Sequence, residues 1–413
     1  MNVYTLFGLI AVITIGVTII TLLINRKQNI GVAYLRNFLG TFFIFSGAVK
    51  AIDPVGTAIK MEDYFTIFTD YMPFLSGLWN WCNHYALAIS VFMIVLEIAL
   101  GISLIFGTLR RITLFLYVAI IVFFTFLTGF SHLTGKVTDC GCFGDFVKLK
   151  PYVSFLKDVV LTIMLVALLF FANHIKPLFN NKAALFLLLL LTVGTYFFTM
   201  SNYYNEPIID FRAYKVGTDL LKGKSMEGLD EGLVKIYYTL KNASTGETKE
   251  MEGNEYTKSR IWEDKNWTMV NEKTRQEVIR EPEQPLIKDF IVQNTDGEDV
   301  ADSLLQLPGY HFFVCTYNID KISNKGFPEV NRILADAQKA GLPVNGITSS
   351  PIEDAEKLVN NQYPFYLLDA TPIKTWIRSN PGVVLMKGPV IIAEYHGEHL
   401  PEFSEIKKAF NIP

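Results

Sequence analysis

A bundle of membrane-crossing helices, followed by a small β-rich connector and an α/β domain outside the membrane, is the fold class that this sequence predicts. Three observations predict it. Half of the 413 residues are hydrophobic, with 32 Phe and 19 Tyr, and the mean hydropathy is positive, which is rare for a soluble domain taken whole. The long apolar runs lie before residue 201, whereas Lys, Glu, Asp and Asn are frequent beyond it. The last third of the chain alternates strand-like with helix-like segments, the order from which layered α/β folds are built.

A helix needs about 20 apolar residues to cross the hydrocarbon core, and six stretches meet that length: roughly 3–24, 33–52, 84–106, 112–131, 152–172 and 183–200. The first has no charge before its apolar core and no small-residue cleavage pattern, and Arg26-Lys27 follow it. It reads as a retained helix rather than a secretion signal. Arg26 and Lys27, Arg110 and Arg111, and Lys176 and Lys182 mark the loops after helices one, three and five. An excess of Lys and Arg places those loops in the cytoplasm. Loops 53–83 and 132–151, together with everything after residue 200, then lie outside.

That placement gives the cysteines their compartment. The chain has four, and two of them form Cys140-Gly141-Cys142-Phe143-Gly144 in the outer loop after the fourth span. A Cys-X-Cys bridge closes a small strained ring, and strained disulfides are the labile, catalytic kind. Cys82 precedes the third span at the same face and Cys315 belongs to the outer domain, so all four thiols sit where disulfides form and persist in bacteria. Cys140 with Cys142, or either with Cys82, are open pairings. The blander reading is that the motif sulfurs are small apolar groups in a tight turn.

Charges inside the bundle add a second constraint. Glu97 falls midway along the third span, where an ionised group is costly unless paired or facing water. Arg36 enters the second span from the cytoplasmic side, and a Glu97–Arg36 clasp is expected; a proton relay is the sharper alternative. Lys50, Asp53, Lys157 and Asp158 should gather at the outer helix ends, where a cation near Cys140 or Cys142 favours the thiolate and snorkelling is the ordinary role of a lysine. Asp139 adjoins the thiols. With His132 and the two motif cysteines it makes only a weak zinc pattern, and no metal is assigned. No P-loop, dinucleotide fingerprint or basic stripe is present, which argues against nucleotide and nucleic-acid partners.

The stretch from Tyr34-Leu-Arg36-Asn-Phe-Leu-Gly40 through Gly47-Ala-Val-Lys50-Ala-Ile-Asp53-Pro54, the segment Leu96-Glu97-Ile-Ala-Leu-Gly101, and Asp139-Cys-Gly-Cys-Phe-Gly144 together resemble the DoxX-like superfamily. Within it, the Cys-Gly-Cys-Phe-Gly run resembles the methylamine-utilisation MauE branch. The resemblance covers about residues 30–172, four spans, with spans one and six as additions. It implies a bacterial inner-membrane protein concerned with disulfide formation or with maturation of a periplasmic partner.

Residues 201–285 read as the β-rich connector, with a hairpin through Tyr237–Thr248, turns at Gly246 and Gly253, and Trp262 and Trp267 beyond them. From 286 to 413 the pattern runs strand 290–293, strand 311–317, helix 328–340, strand 344–348, helix 352–360, strand 365–369, a helix from Thr371-Pro372, strands 382–386 and 390–395, and helix 401–410. This order resembles the thioredoxin fold in its TlpA or peroxiredoxin-like form. Asn380-Pro381 stands where that family keeps its cis-proline loop, beside the substrate peptide, and is expected to bind a partner. The family's Cys-X-X-Cys would fall near 318–322, which reads Asn-Ile-Asp-Lys-Ile. Cys315 lies inside the strand, so the domain is expected to be redox-inactive and kept for binding.

The expected activity, by analogy, is thiol–disulfide exchange or maturation of exported proteins, with Cys140, Cys142 and Cys82 as the reactive set, Glu97, Arg36, Lys50, Lys157 and Asp139 in support, and an exported client or a periplasmic thioredoxin-like protein as partner. No cofactor is demanded, and a quinone is an admissible electron partner. A non-enzymatic scaffold and a quinol-handling subunit are the alternatives from other classes.

Overall fold

The computed structural model describes residues 3–137, 141–270, 274–322, 326–360 and 362–413. Its first half is helical: α1 (Val3–Ile24), α2 (Ile30–Ile52), α3 (Pro54–Tyr71), α4 (Ser76–His84), α5 (Ala86–Phe106), α6 (Arg110–Thr134), α7 (Pro151–Phe170) and α8 (Asn181–Tyr204). Among the described residues, six of these are long and apolar enough to cross a membrane: α1, α2, α5, α6, α7 and α8. The protein is a multi-pass membrane protein, with spans close to those expected.

The bundle is built on α2 against α5. A Cβ on Gly40 would stand 2.9 Å from the Gly101 carbonyl oxygen, and one on Gly101 would stand 2.7 Å from the Gly40 oxygen. Only glycine lets the two backbones meet this closely, the small-residue contact by which helices associate where lipid removes the hydrophobic drive. Asn37 donates from Nδ2 to the hydroxyls of Thr18 and Thr21 and holds α1 to α2. Tyr117 on α6 donates to the Leu39 carbonyl, 2.8 Å, from a fully buried position. The loops 25–29, 107–109 and 171–180 meet at one end: Gln28 and Arg36 both donate to the Lys176 carbonyl, Lys176 Nζ to that of Lys27, and the Leu178 amide to that of Phe106.

At the opposite end, residues 53–83, the outer loop between the second and third spans, are mostly helical. Asp53 caps α3, its Oδ1 accepting from the Gly56 amide at 2.8 Å, and Pro54 takes the first helical position. That pair is a helix-start signal. The α3 face carrying Tyr64, Phe65 and Phe68 is buried, stacked with Trp79 of α4 and Phe130 of α6.

Residues Asp219–Phe290 form a compact unit of their own. It holds α9 (Leu220–Lys224), β1 (Leu233–Asn242), β2 (Thr248–Glu252), α10 (Gly253–Ser259), β3 (Trp267–Met269) and β4 (Arg275–Arg280). The long β1 pairs with β2 in a hairpin, with Gly246 at φ 72 in its turn, and with β3 and β4 along its length. Gly253 opens α10 instead of making a second turn, because the Glu252 strand end runs directly into a helical segment.

The last segment comprises α11 (Ala301–Leu305), β5 (Tyr310–Thr316), α12 (Gly326–Lys339), β6 (Val344–Thr348), α13 (Ile352–Leu358), β7 (Phe365–Leu367), α14 (Ala370–Trp376), β8 (Gly382–Lys387), β9 (Val390–His396) and α15 (Phe403–Phe410). The sheet order is β7-β6-β5-β8-β9, with β5, β6 and β7 parallel and β8 and β9 antiparallel. Together with the cis Asn380–Pro381 bond before β8, this is a thioredoxin-like α/β domain. The strand expected at 290–293 is reduced to isolated bridges at Gln293, and α14 starts at Ala370 with Asp369 in the cap position, two residues ahead of Pro372.

Candidate functional site

The described part of the cysteine motif is a glycine-dependent turn. Gly141 and Gly144 have φ of 64 and 50, backbone that favours glycine, and the Gly144 amide donates to the Gly141 carbonyl at 3.1 Å. A Cβ on Gly141 would also press on the Lys60 side chain at 3.0 Å. Phe143 anchors the turn: it is fully buried, edge-on to Phe42 with ring centres 5.7 Å apart, in the bundle's main core. Ser46 of α2 donates to the Cys142 carbonyl at 3.1 Å. Cys142 is thereby fixed, half-buried, at the outer end of the bundle. Cys140 and Asp139, both expected in the site, lie outside the described residues.

The Lys157 ammonium meets the Cys142 side chain in a hydrogen bond and is paired with Asp158 at 2.5 Å. Asp158 in turn accepts from Thr128 at 2.9 Å, and lysine and aspartate are both buried. A neighbouring ammonium stabilises a thiolate over a thiol, so this cation is set to favour the attacking form of sulfur. Two cavities meet at the motif. The inner one, about 50 Å³, is bounded by Cys142 and Gly141 on one side and by Met93, Glu97, Phe124 and Leu127 within the bundle. The outer one, about 190 Å³, is lined by charged residues, among them Lys60, Asp63, Asp145, Lys148 and Arg378, and reaches Gly141 and Gly144.

Glu97 is paired, but with Lys50 and not with Arg36. Lys50 Nζ donates to Glu97 Oε2 at 2.7 Å with both side chains buried, and the same ammonium lies over the Phe124 ring. The expected Glu97–Arg36 clasp is absent because α2 and α5 cross at Gly40, Gly47, Gly101 and Ile98, which sets Lys50 on the outer side of the crossing with Glu97. Arg36 is nearly four turns back and donates to the Lys176 carbonyl at the other end. Of the four charges at the outer helix ends, Lys50 pairs with Glu97, Lys157 with Asp158, and Asp53 with a residue of the C-terminal domain.

Asp53 receives Arg378, which stands immediately ahead of Ser379-Asn380-Pro381. The Arg378 guanidinium donates to Asp53 from Nε and from Nη2, the latter at 2.6 Å, and to Asp145 Oδ2 at 2.7 Å. Burial alone works to raise the Asp145 carboxyl, but Arg378 and Lys148 outweigh it and hold the group below the usual range. Burial likewise works against the charge on Arg378, and Asp53 and Asp145 restore it. Glu62 of α3 accepts from Lys321 at 3.1 Å and from Lys374 at 3.0 Å. The cis-proline face of the thioredoxin-like domain is thus turned onto the end of the bundle that carries Cys142. Asn380 is used internally: its Oδ1 accepts from Thr316 and the Tyr317 amide, and its Nδ2 donates to the Asn318 carbonyl.

The other thiols are placed apart from this constellation. Cys82 packs in the aromatic cluster of Phe65, Phe68 and Trp79 and does not line either cavity around the motif; burial pushes its pKa up. Cys315 is fully buried in β5, and burial pushes its pKa far up, as its place in an apolar strand predicts.

Residues 27–172 match the family model for methylamine utilisation protein MauE. The match spans α2 to α7 and takes in Arg36, Lys50, Glu97, the cysteine motif and Lys157, leaving α1 and α8 outside it. A solution structure of a thiol:disulfide interchange protein from Bacteroides sp. aligns over 30% of this chain and 86% of its own, with 15% identity and a TM-score of 0.23. No curated protein matches the chain.

Within the MauE-like segment, sequence reasoning found the motif and the charged positions but missed Asp53, Glu62 and Asp145 as a docking surface. The acidic run Glu62-Asp63 and the Arg378 ahead of Asn380-Pro381 were the signals available. Glu62 and Arg378 reach their ionic partners only when the domain is folded back on the bundle.

Proposed function

We propose that this protein carries out thiol–disulfide exchange during maturation of exported proteins in the bacterial envelope, with Cys142 as the reactive thiol. The contact of Cys142 with the buried Lys157 ammonium is the observation that carries this reading. In the exchange, the Cys142 thiolate attacks a client disulfide, a mixed disulfide forms and one client thiolate leaves; Cys140 then attacks the Cys142 sulfur, closing the motif disulfide and releasing the client reduced. The reverse sequence oxidises a client. The end bearing Cys142 lies opposite the three loops rich in Lys and Arg, which favours a periplasmic position for it and for the C-terminal domain. The thioredoxin-like domain, lacking Cys-X-X-Cys, acts as a docked module that controls approach to the motif.

The test is capture of the mixed disulfide. Cys140→Ser should accumulate a client covalently bound at Cys142, and Cys142→Ser should lose both the adduct and the complementation of a deletion strain. If the Cys140→Ser/Cys142→Ser double variant complements fully, exchange is not the function. A second reading, a non-enzymatic scaffold, draws support from the burial of the cis-proline face against the protein's own bundle; thiol labelling that never changes with redox conditions would favour it.

A further inference from the structure

Among the described residues, every buried lysine or arginine but one meets a carboxylate: Lys50 has Glu97, Lys157 has Asp158, Arg212 has Glu206, Asp210 and Glu394, and Arg378 has Asp53 and Asp145. Arg36 has none. Its side chain is fully enclosed at the Lys/Arg-rich end of the bundle, where Nη1 donates to the Lys176 carbonyl at 2.8 Å while Nε and Nη2 are buried with no acceptor. A buried charge without a counter-ion is costly. Those two nitrogens form one edge of the guanidinium, the pair of parallel donors that takes two oxygens of a phosphate. The fold leaves room for the group: Gly107 ends α5 at φ 68, and a Cβ there would stand 2.7 Å from Arg36 Nη1.

The surroundings carry charge of one sign. Residues 25–29, 107–111 and 171–182 contain Arg26, Lys27, Arg110, Arg111, Lys176 and Lys182 and no Asp or Glu. The segment 171–180 lies over Arg36 as a strap tied largely by single side-chain bonds: Asn25 donates to the Pro177 carbonyl at 3.3 Å, Gln28 to that of Lys176 at 3.2 Å, Lys176 to that of Lys27 at 2.9 Å, and Arg110 to that of Ala172 at 3.1 Å. Arg36 follows the start of α2 by about 9 Å at the helical rise, and a helical side chain leans toward its own N-terminus. Because α2, at 23 residues, outlasts a hydrocarbon core of about 30 Å, the guanidinium comes up to the edge of the head-group layer. Basic pockets between spanning helices are where acidic phospholipid head groups bind. We propose that Arg36 anchors a binding site for a phosphate group beneath the strap, supplied by an acidic phospholipid head group or by free phosphate. The phosphate accepts from Nε and Nη2 and gives the counter-charge that no carboxylate provides; the strap lifts to admit it. The site lies at the end of the bundle opposite Cys142 and does not depend on the exchange chemistry.

The test is native mass spectrometry and thermal unfolding of the full chain, stripped of lipid in detergent, with palmitoyl-oleoyl phosphatidylglycerol, palmitoyl-oleoyl phosphatidylcholine or inorganic phosphate added. A phosphate-bearing probe should bind and raise the melting temperature, and Arg36→Met should weaken that binding roughly tenfold or more, the loss expected for hydrogen bonds to a charged group. Protection by phosphatidylglycerol and not by inorganic phosphate makes the lipid the source; protection by inorganic phosphate makes it the free anion. Arg36→Lys keeps the charge and loses the fork, so it should bind with intermediate affinity, and it supplies the reading if Arg36→Met does not fold. Binding of neither phosphatidylglycerol nor inorganic phosphate, or binding in Arg36→Met and Arg36→Lys as tight as in the wild type, overturns the site. Equal affinity for phosphatidylcholine would show that acyl chains and not an anion are held, and overturns it too. So does loss of binding in Arg26→Gln/Lys27→Gln with Arg36→Met unaffected, which puts the anion on the exposed surface.

Discussion

Arg378 offers the most direct test of how the two folds are joined. Its guanidinium is 6% exposed and bridges Asp53 and Asp145, side chains 11% and 18% exposed, so Arg378→Ala leaves two carboxylates facing each other in a poorly solvated gap. Removing one partner of a buried ion pair typically costs about 3–5 kcal/mol. At about 1.4 kcal/mol per decade, the undocked population rises by roughly a hundredfold or more. Hydrogen–deuterium exchange on the protein in nanodiscs reads this as faster exchange in 317–322 and 141–149, with β5 and β8 still protected. Arg378→Lys keeps a charge but loses the fork and should fall between the two. Asp53→Ala should cost more than Asp145→Ala, because Asp53 also caps α3, a contribution of about 1 kcal/mol. Wild-type exchange rates in Arg378→Ala would show that the docking does not depend on this residue.

Other outcomes follow from the same contacts. Glu97→Leu, which strands the Lys50 ammonium, should destabilise the bundle by about 3–5 kcal/mol, whereas Glu97→Leu combined with Lys50→Met should restore most of it; thermal unfolding in detergent measures both. Gly101→Ala should force α2 and α5 apart, since its Cβ would press on the Gly40 carbonyl, and cost about 1–3 kcal/mol in the same assay. Glu394 shares Arg212 with Glu206 and Asp210, and burial, outweighing the attraction of Arg212, pushes its carboxyl up to about 8. The folded chain therefore holds a proton that the unfolded chain releases above about pH 4.3. Stability from this group is complete below that pH and is lost as the pH rises toward 8, at a slope up to about 1.4 kcal/mol per pH unit. Glu394→Gln should flatten the decline between pH 5 and 8.5, the range over which melting temperatures are compared.

The spans and most of the α/β order were legible because each depends on local pattern, either apolar length or strand and helix periodicity. The helices within the outer loop 53–83 were not legible because their charges, Glu62, Asp63 and Asp70, share a helix with a buried aromatic face at Tyr64, Phe65 and Phe68. The partner of Glu97 was not legible for a different reason. Arg36 and Lys50 both lie on α2, and only the height at which the glycines let α2 cross α5 decides between them. The seat of Arg378 between Asp53 and Asp145 joins residues more than two hundred positions apart, and no periodicity reports on that. The turn at Gly141 and Gly144, by contrast, was visible in the motif itself.

The crossing of α2 with α5 has a consequence for how the chain enters its membrane. Of the six spans α2 is the least apolar and the most enclosed by protein, and it carries Arg36 and Lys50. Left in lipid alone it would hold Lys50, in its last turn, without a counter-charge, at a cost below the roughly 2.5–3.5 kcal/mol of a mid-helix cation. Its partner α5, with Glu97, is synthesised only after α3 and α4 have passed. The Lys50–Glu97 pair can therefore form only once α5 has emerged. The order of synthesis thus makes residues 54–84 a delay built into biogenesis as well as a surface in the finished protein.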